Sequence, residues 1–155
     1  TARVISLETG KATSRNPADL GLSYRHSDLS ATEVVVSATF RSVERSREDC
    51  EALLREITRW RRDHQPGGTF NAGSVFKNPA GGFAGQIIDE LGLKGHRAGG
   101  ASVSERHANF FVAEAGTTAG DIHRLVSEVQ ARVLAATGIR LEPEMRFVGD
   151  FEASA

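Results

Sequence analysis

The feature that most constrains this chain is a capped helical pattern near its C-terminal end. Ile122, Leu125, Val126, Val129 and Val133 recur at the three-to-four-residue spacing that places them on one face of a helix. Thr117 or Thr118 can supply the N-cap, and Gly138 stops the run just past Thr137. A helix of that length with one apolar face needs a partner surface, so the rest of the chain must provide a sheet or further helices to cover it.

Short strands are the candidates. Arg3 to Leu7 reads as a strand, and Glu8-Thr9-Gly10-Lys11 as a turn that a second short strand can follow. Asn16-Pro17 opens a loop. Glu33 to Phe40 is rich in β-branched residues and reads as a strand. Ala101 to Ser104 and Asn109 to Glu114 are further strands, and Met145 to Val148 a last one. Ser46 can cap a helix in which Leu53, Leu54, Ile57 and Trp60 share a face, ending near His64 because Gln65 precedes Pro66. Phe83 to Leu91 is a short helix closed by Gly92. Pro66 to Pro79 and Lys94 to Gly100 read as loops. Helices and short strands are segregated, which predicts an α+β fold: a small mixed sheet with packed helices.

Charge narrows the function. Nineteen basic and twenty acidic side chains give a net charge of −1, without the basic excess of a general nucleic-acid binder. No apolar run approaches the ~18 residues of a membrane-spanning helix, so no membrane partner is expected. The single cysteine, Cys50, fits a reducing cytoplasm. The start at Thr1 rather than Met fits a fragment or a processed chain. Neither a P-loop nor a G-x-G-x-x-G turn is present, and there is no nucleophile elbow. His26, His64, His96, His107 and His123 are scattered, so no metal site is expected.

Three segments carry candidate chemistry, each with a plainer alternative. Tyr24-Arg25-His26-Ser27 pairs an aromatic with a cation, or decorates the surface. Asn71 to Pro79 (NAGSVFKNP) sets small residues ahead of Ser74 and puts Lys77 and Asn78 after it, so a ligand could approach the hydroxyl closely; otherwise it is an ordered loop. Leu141 to Phe147 (LEPEMRF) places Glu144 after a proline at a strand start; alone it reads as a salt-bridged surface acid. Arg55, Arg59, Arg61 and Arg62 suit a solvated helix face near a C-terminal dipole, with a phosphate contact as the alternative.

Taken in order, YRHS, GSVFKNP, SERHANF and LEPEMRF resemble the signature segments of the UDP-N-acetylenolpyruvoylglucosamine reductase family, and the resemblance runs from about Ala2 to Gly149. It implies an FAD-dependent oxidoreductase, with NADPH as reductant, that converts UDP-N-acetylglucosamine enolpyruvate to UDP-N-acetylmuramate for peptidoglycan in the cytoplasm. Hydride addition to the outer alkene carbon leaves negative charge on the neighbouring carbon and its carboxylate, which needs donors and then a proton. By resemblance Ser74 delivers that proton, Arg25 and Glu144 surround the carboxylate, and Asn78, Lys77 and His107 line the nucleotide-sugar site. Tyr24 and Arg25 contact the flavin. At the place of His107 some members carry glutamine, which points to hydrogen bonding rather than acid–base chemistry. The short stretch between Arg25 and Ser74 resembles the subgroup without an extra tyrosine-bearing loop. Few residues precede Tyr24, and they hold no glycine-rich pyrophosphate loop. The resemblance therefore implies a C-terminal portion: residues 1–44 the edge of a flavin domain, 45–138 a substrate-binding domain, and 139–155 a returning strand with Glu144. The competing expectations are a non-catalytic nucleotide-sugar-binding module and a piece of another FAD-dependent oxidoreductase.

Overall fold

The computed structural model describes residues 1–151; the end of the 139–155 segment lies outside the described residues. The chain forms two compact units, residues 1–50 and 51–155. The architecture is α+β, as expected, and both sheets are antiparallel.

The first unit is a three-stranded sheet in the order β2-β1-β3, with β1 Ala2–Ser6, β2 Ala12–Arg15 and β3 Glu33–Ala38. Gly10, at φ +67°, closes the β1–β2 hairpin, and its N–H donates to the Ser6 carbonyl at 2.8 Å. Ala2 and Val4 alternate inward from β1 and are buried with Leu20, which comes from a short 3-10 turn at Pro17–Leu20. Arg15 and Glu33 form an ion pair between the two outer strands. The valines at 34, 35 and 36 are exposed, on both faces of β3.

Helix α1, Arg47–His64, starts where Ser46 Oγ accepts the Asp49 N–H at 3.1 Å. Its apolar stripe exists as read from the sequence, but none of its residues is buried; Trp60 is 54% exposed and stacks on His64 at 4.7 Å. Arg55 pairs with Glu51 and Arg62 with Asp63, in keeping with a solvated arginine face.

The second unit holds a four-stranded sheet in the order β4-β7-β6-β5, with β4 Phe70–Ser74, β5 Arg97–Ala98, β6 Ala101–Val103 and β7 Phe110–Ala113. Helices α2, Ala84–Glu90, and α3, Ala119–Thr137, pack with it. Leu125, Val126, Val129 and Val133 of α3 are buried with Ile88 of α2 and with Val103 and Phe111 of the sheet; Ile122 is partly buried at the edge of this core. Phe76 and Phe111 meet edge-to-face at 5.9 Å within it. Thr118 and Asp121 cap α3 reciprocally: Thr118 Oγ1 accepts the Asp121 N–H at 3.1 Å, and the Asp121 carboxylate accepts the Thr118 N–H at 3.0 Å. Gly138, at φ +72°, ends the helix.

Three local expectations are corrected. Pro66 to Pro79 is not all loop, because β4 occupies its centre; Phe70-Asn71-Ala72-Gly73-Ser74 is a poor strand former and takes that form through pairing with β7. Lys94 to Gly100 contains β5, joined to β6 by the two-residue turn Gly99-Gly100. Met145 to Val148 is not a strand. The nearby backbone pairing is an isolated bridge between Phe76 and Pro143, just before this segment, while Met145 and Phe147 lean on the core without a ladder.

Candidate functional site

Ser74 stands where regular pairing between β4 and β7 runs out. The last register pair is Ser74 with Phe110, after an irregularity between Asn71 and Ser74. Gly73 makes that kink at φ +81°, a conformation that a side chain would strain.

Beyond Ser74 the chain is held from two sides. On one side the carbonyl of Asn109 accepts the Val75 N–H at 2.8 Å. The Asn109 side chain accepts the Phe76 N–H and donates to the Phe76 carbonyl, both at 2.9 Å. On the other side the Glu144 N–H donates to the Val75 carbonyl at 2.8 Å, and the Lys77 N–H donates to the Glu142 carbonyl at 2.9 Å. These two bonds straddle Pro143, which has no N–H of its own. Segments LEPEMRF and GSVFKNP, far apart in the sequence, are therefore backbone neighbours.

A cavity of about 410 Å³ opens beside this clamp, lined by Ser74, Asn78, Gly85, Lys94, His107 and Asn109 among others. Asn78 Oδ1 accepts the Ala84 N–H at 3.1 Å, which satisfies a donor at the start of α2 and fixes one edge of the cavity. Lys94 forms an ion pair with Asp89 at 2.6 Å on the same wall.

His107 is set by two neighbours. Its Nδ1 accepts the Asn109 N–H at 3.2 Å, so in the neutral ring the proton sits on Nε2. Its ring meets Phe110 edge-on at 4.8 Å and lies over Gly85, where an added Cβ would come within 3.1 Å of Cε1. Burial pushes the His107 pKa below its ordinary value of 6.5, and the charge of Lys94 pushes the same way, while Asp89 opposes them. At neutral pH the ring is an uncharged hydrogen-bonding group.

Of the residues singled out in the sequence, Ser74, Asn78 and His107 share the cavity. Glu144 is half-buried, with its backbone bonded beside Ser74. Lys77 is not among the cavity's lining residues; its ammonium pairs with Glu142. Tyr24 and Arg25 belong to the first unit. They occupy the tip of a tight turn whose ends, Ser23 and His26, exchange two backbone bonds of 3.2 Å, and Arg25 adopts φ +56° there. Tyr24 is 62% exposed. Asn109, Gly85 and Lys94 were not singled out. The available signal was an asparagine inside the apolar run Ala108 to Val112, a polar residue that burial would oblige to find partners.

The first unit has two glycines. Its positive-φ glycines are Gly10, in a hairpin turn, and Gly21, and the Asp28 carboxylate fills the space over Gly21 where an anion would have to approach.

The UDP-N-acetylenolpyruvoylglucosamine reductase family, through the profile of its C-terminal domain, matches residues 65–148. The reductase of that name from Pelobacter propionicus is 44% identical over 132 residues, covering 85% of this chain and 45% of that protein. The one from Sphingopyxis alaskensis is 40% identical over 148 residues, covering 96% of this chain and 50% of that protein. The crystal structure of UDP-N-acetylenolpyruvylglucosamine reductase from Thermus caldophilus superposes with a TM-score of 0.80 at 35% identity, over 94% of this chain and 51% of that one. The chain thus spans about half the length of the relatives it matches. A shared fold, 40–44% identity to curated relatives and a domain match over more than half of the sequence place the chain in the UDP-N-acetylenolpyruvoylglucosamine reductase family, with its second unit corresponding to the C-terminal domain.

Proposed function

We propose that this chain is the substrate-protonating portion of an FAD- and NADPH-dependent reductase that converts UDP-N-acetylglucosamine enolpyruvate to UDP-N-acetylmuramate in the cytoplasmic stage of peptidoglycan synthesis. The observation that carries the reading is the meeting of Ser74, Asn78 and His107 on one cavity, with Glu144 bonded to the residue after Ser74. The hydride belongs to the cofactor chemistry of the complete reductase. In the complete reductase the flavin would be held mainly by the half of the relatives that this chain does not span.

The chain's own residues act on what hydride addition leaves behind. Carbanionic charge develops next to the substrate carboxylate, and the carbon must then be protonated. Ser74 is half-buried on the cavity wall. Its hydroxyl gives its proton to that carbon and recovers one from solvent. Glu144 assists in its protonated form or through water, since a bare carboxylate would repel the enolate. Asn78 and the Nε2–H of His107 present neutral donors to the nucleotide sugar. Lys77, through its pair with Glu142, steadies the 142–144 segment beside that site. Arg25 and Tyr24 are assigned by resemblance alone, to the substrate carboxylate and the flavin in the complete reductase.

The test is Ser74→Ala in the complete, flavin-loaded reductase, followed by stopped flow through the two half-reactions. Oxidation of the reduced enzyme by the enolpyruvyl nucleotide sugar is expected to slow by about 10²–10⁴-fold, the range for a lost general acid. Reduction of the enzyme by NADPH stays close to wild type. Equal slowing of both half-reactions would indicate a damaged site and remove the assignment.

A further inference from the structure

We propose that Asn109 is the positioning residue of this site: its buried side-chain amide acts as a substitute strand that fixes where Ser74 stands relative to Glu144. The inference rests on the reading of Ser74 as the proton donor. Asn109 is 4% exposed and sits at the point where β7 stops pairing regularly with β4. Its Oδ1 and Nδ2 bond the N–H and the carbonyl of one residue, Phe76, as a neighbouring strand's peptide would. The main chain of Asn109 adds a bond to Val75 and one to the His107 ring. A single residue therefore holds the segment after Ser74 on one side and directs the Nε2–H of His107 on the other. Glu144 binds the opposite edge of the same segment, at Val75.

The consequence is specific. Phe76 is 1% exposed, so removing the amide leaves its N–H and carbonyl without a protein partner in the interior. The segment then keeps, on the sheet side, only the main-chain bond from Val75 to Asn109, and its restraint opposite the 142–144 strip weakens. Ser74 is one residue from that segment and inherits the displacement, and a shift of about 1 Å is enough to cost a positioned proton donor most of its effect. Asn109 touches no reacting atom in this scheme; it acts through Ser74.

Two measurements test it. In this chain, Asn109→Ala is expected to speed amide hydrogen exchange at Phe76 by at least about tenfold, while Val126 and Val129 in the α3 core exchange at wild-type rates. In the flavin-loaded reductase, the same change should slow substrate-dependent oxidation about tenfold or more with KM altered by less than about threefold. Combined with Ser74→Ala it should cost nothing further, because both act on one step. Independent, multiplying effects of the two substitutions would overturn the proposal, as would unchanged exchange at Phe76. Where the alanine variant does not fold, Asn109→Asp keeps the acceptor for the Phe76 N–H and sets a carboxylate oxygen against its carbonyl in place of the donor, and the same readouts apply. If Ser74→Ala alone leaves the rate unchanged, the proposed function falls while exchange at Phe76 still decides the clamp.

Discussion

The N–H of Glu144 donates to the carbonyl of Val75 at 2.8 Å. That bond brings the LEPEMRF segment against the residue next to Ser74, and it lies on the edge opposite the one that Asn109 holds. Substitutions around this strip therefore report on the site more sharply than substitutions in the core behind it.

Gly85→Ala is expected to disturb binding more than folding. The new Cβ would stand 3.1 Å from His107 Cε1 and 3.4 Å from Asn109 Cβ, so the ring must yield by a few tenths of an ångström. Alanine is favoured over glycine inside a helix by about 1 kcal/mol, against about 1–3 kcal/mol for overpacking. These oppose each other, leaving a net loss below about 2 kcal/mol. KM for the nucleotide sugar in the complete reductase should rise about three- to tenfold. An unchanged KM together with an unshifted His107 ring resonance would count against a binding role for His107.

His107 should titrate below its ordinary 6.5 and weaken the fold in acid. Its folded-state pKa is lowered, so between the two values the unfolded chain binds more protons. The contribution is whole above the unfolded value and is lost as pH falls toward the folded one. Urea melts at about pH 7.5 and about pH 5.0 should show a loss that is smaller in His107→Gln, which keeps a neutral hydrogen-bonding side chain. An NMR titration placing the His107 pKa at or above the ordinary value would refute the burial argument.

Thr118→Ala removes the side-chain acceptor of the α3 capping box. A loss of about 1 kcal/mol is expected, with Tm lower by about 2–4 °C. Thr118→Ser should restore most of it. Equal stability of the alanine variant would mean that water replaces the cap.

This chain, incubated with FAD and passed through gel filtration, is expected to emerge without flavin absorbance. The reason is local: Asp28 fills the approach to Gly21, and the other positive-φ glycine of the first unit turns a hairpin. Near-stoichiometric flavin on the protein peak would contradict that reading.

The sequence by itself determined the elements whose causes are local. Helix α3 was legible from its apolar period, Thr118 and Gly138, and α1 from Ser46 and Pro66, because caps and periodicity act within a few residues. The candidate chemistry was legible as ordered motifs, and Ser74, Asn78 and His107 do share a cavity. What only the tertiary structure decided was long-range. β4 has the residues of a loop and becomes a strand because β7 offers it a ladder. Met145 to Val148 has the alternation of a strand and stays outside the sheet, beyond the isolated bridge at Pro143. The shared face of Leu53, Leu54, Ile57 and Trp60 in α1 was legible, but not that none of the helix's residues is buried. Asn109 looked like the first residue of a strand, yet its buried amide completes the pairing of Phe76. A backbone hydrogen bond takes whatever partner the fold brings within about 3 Å, and no local pattern records which segment that will be.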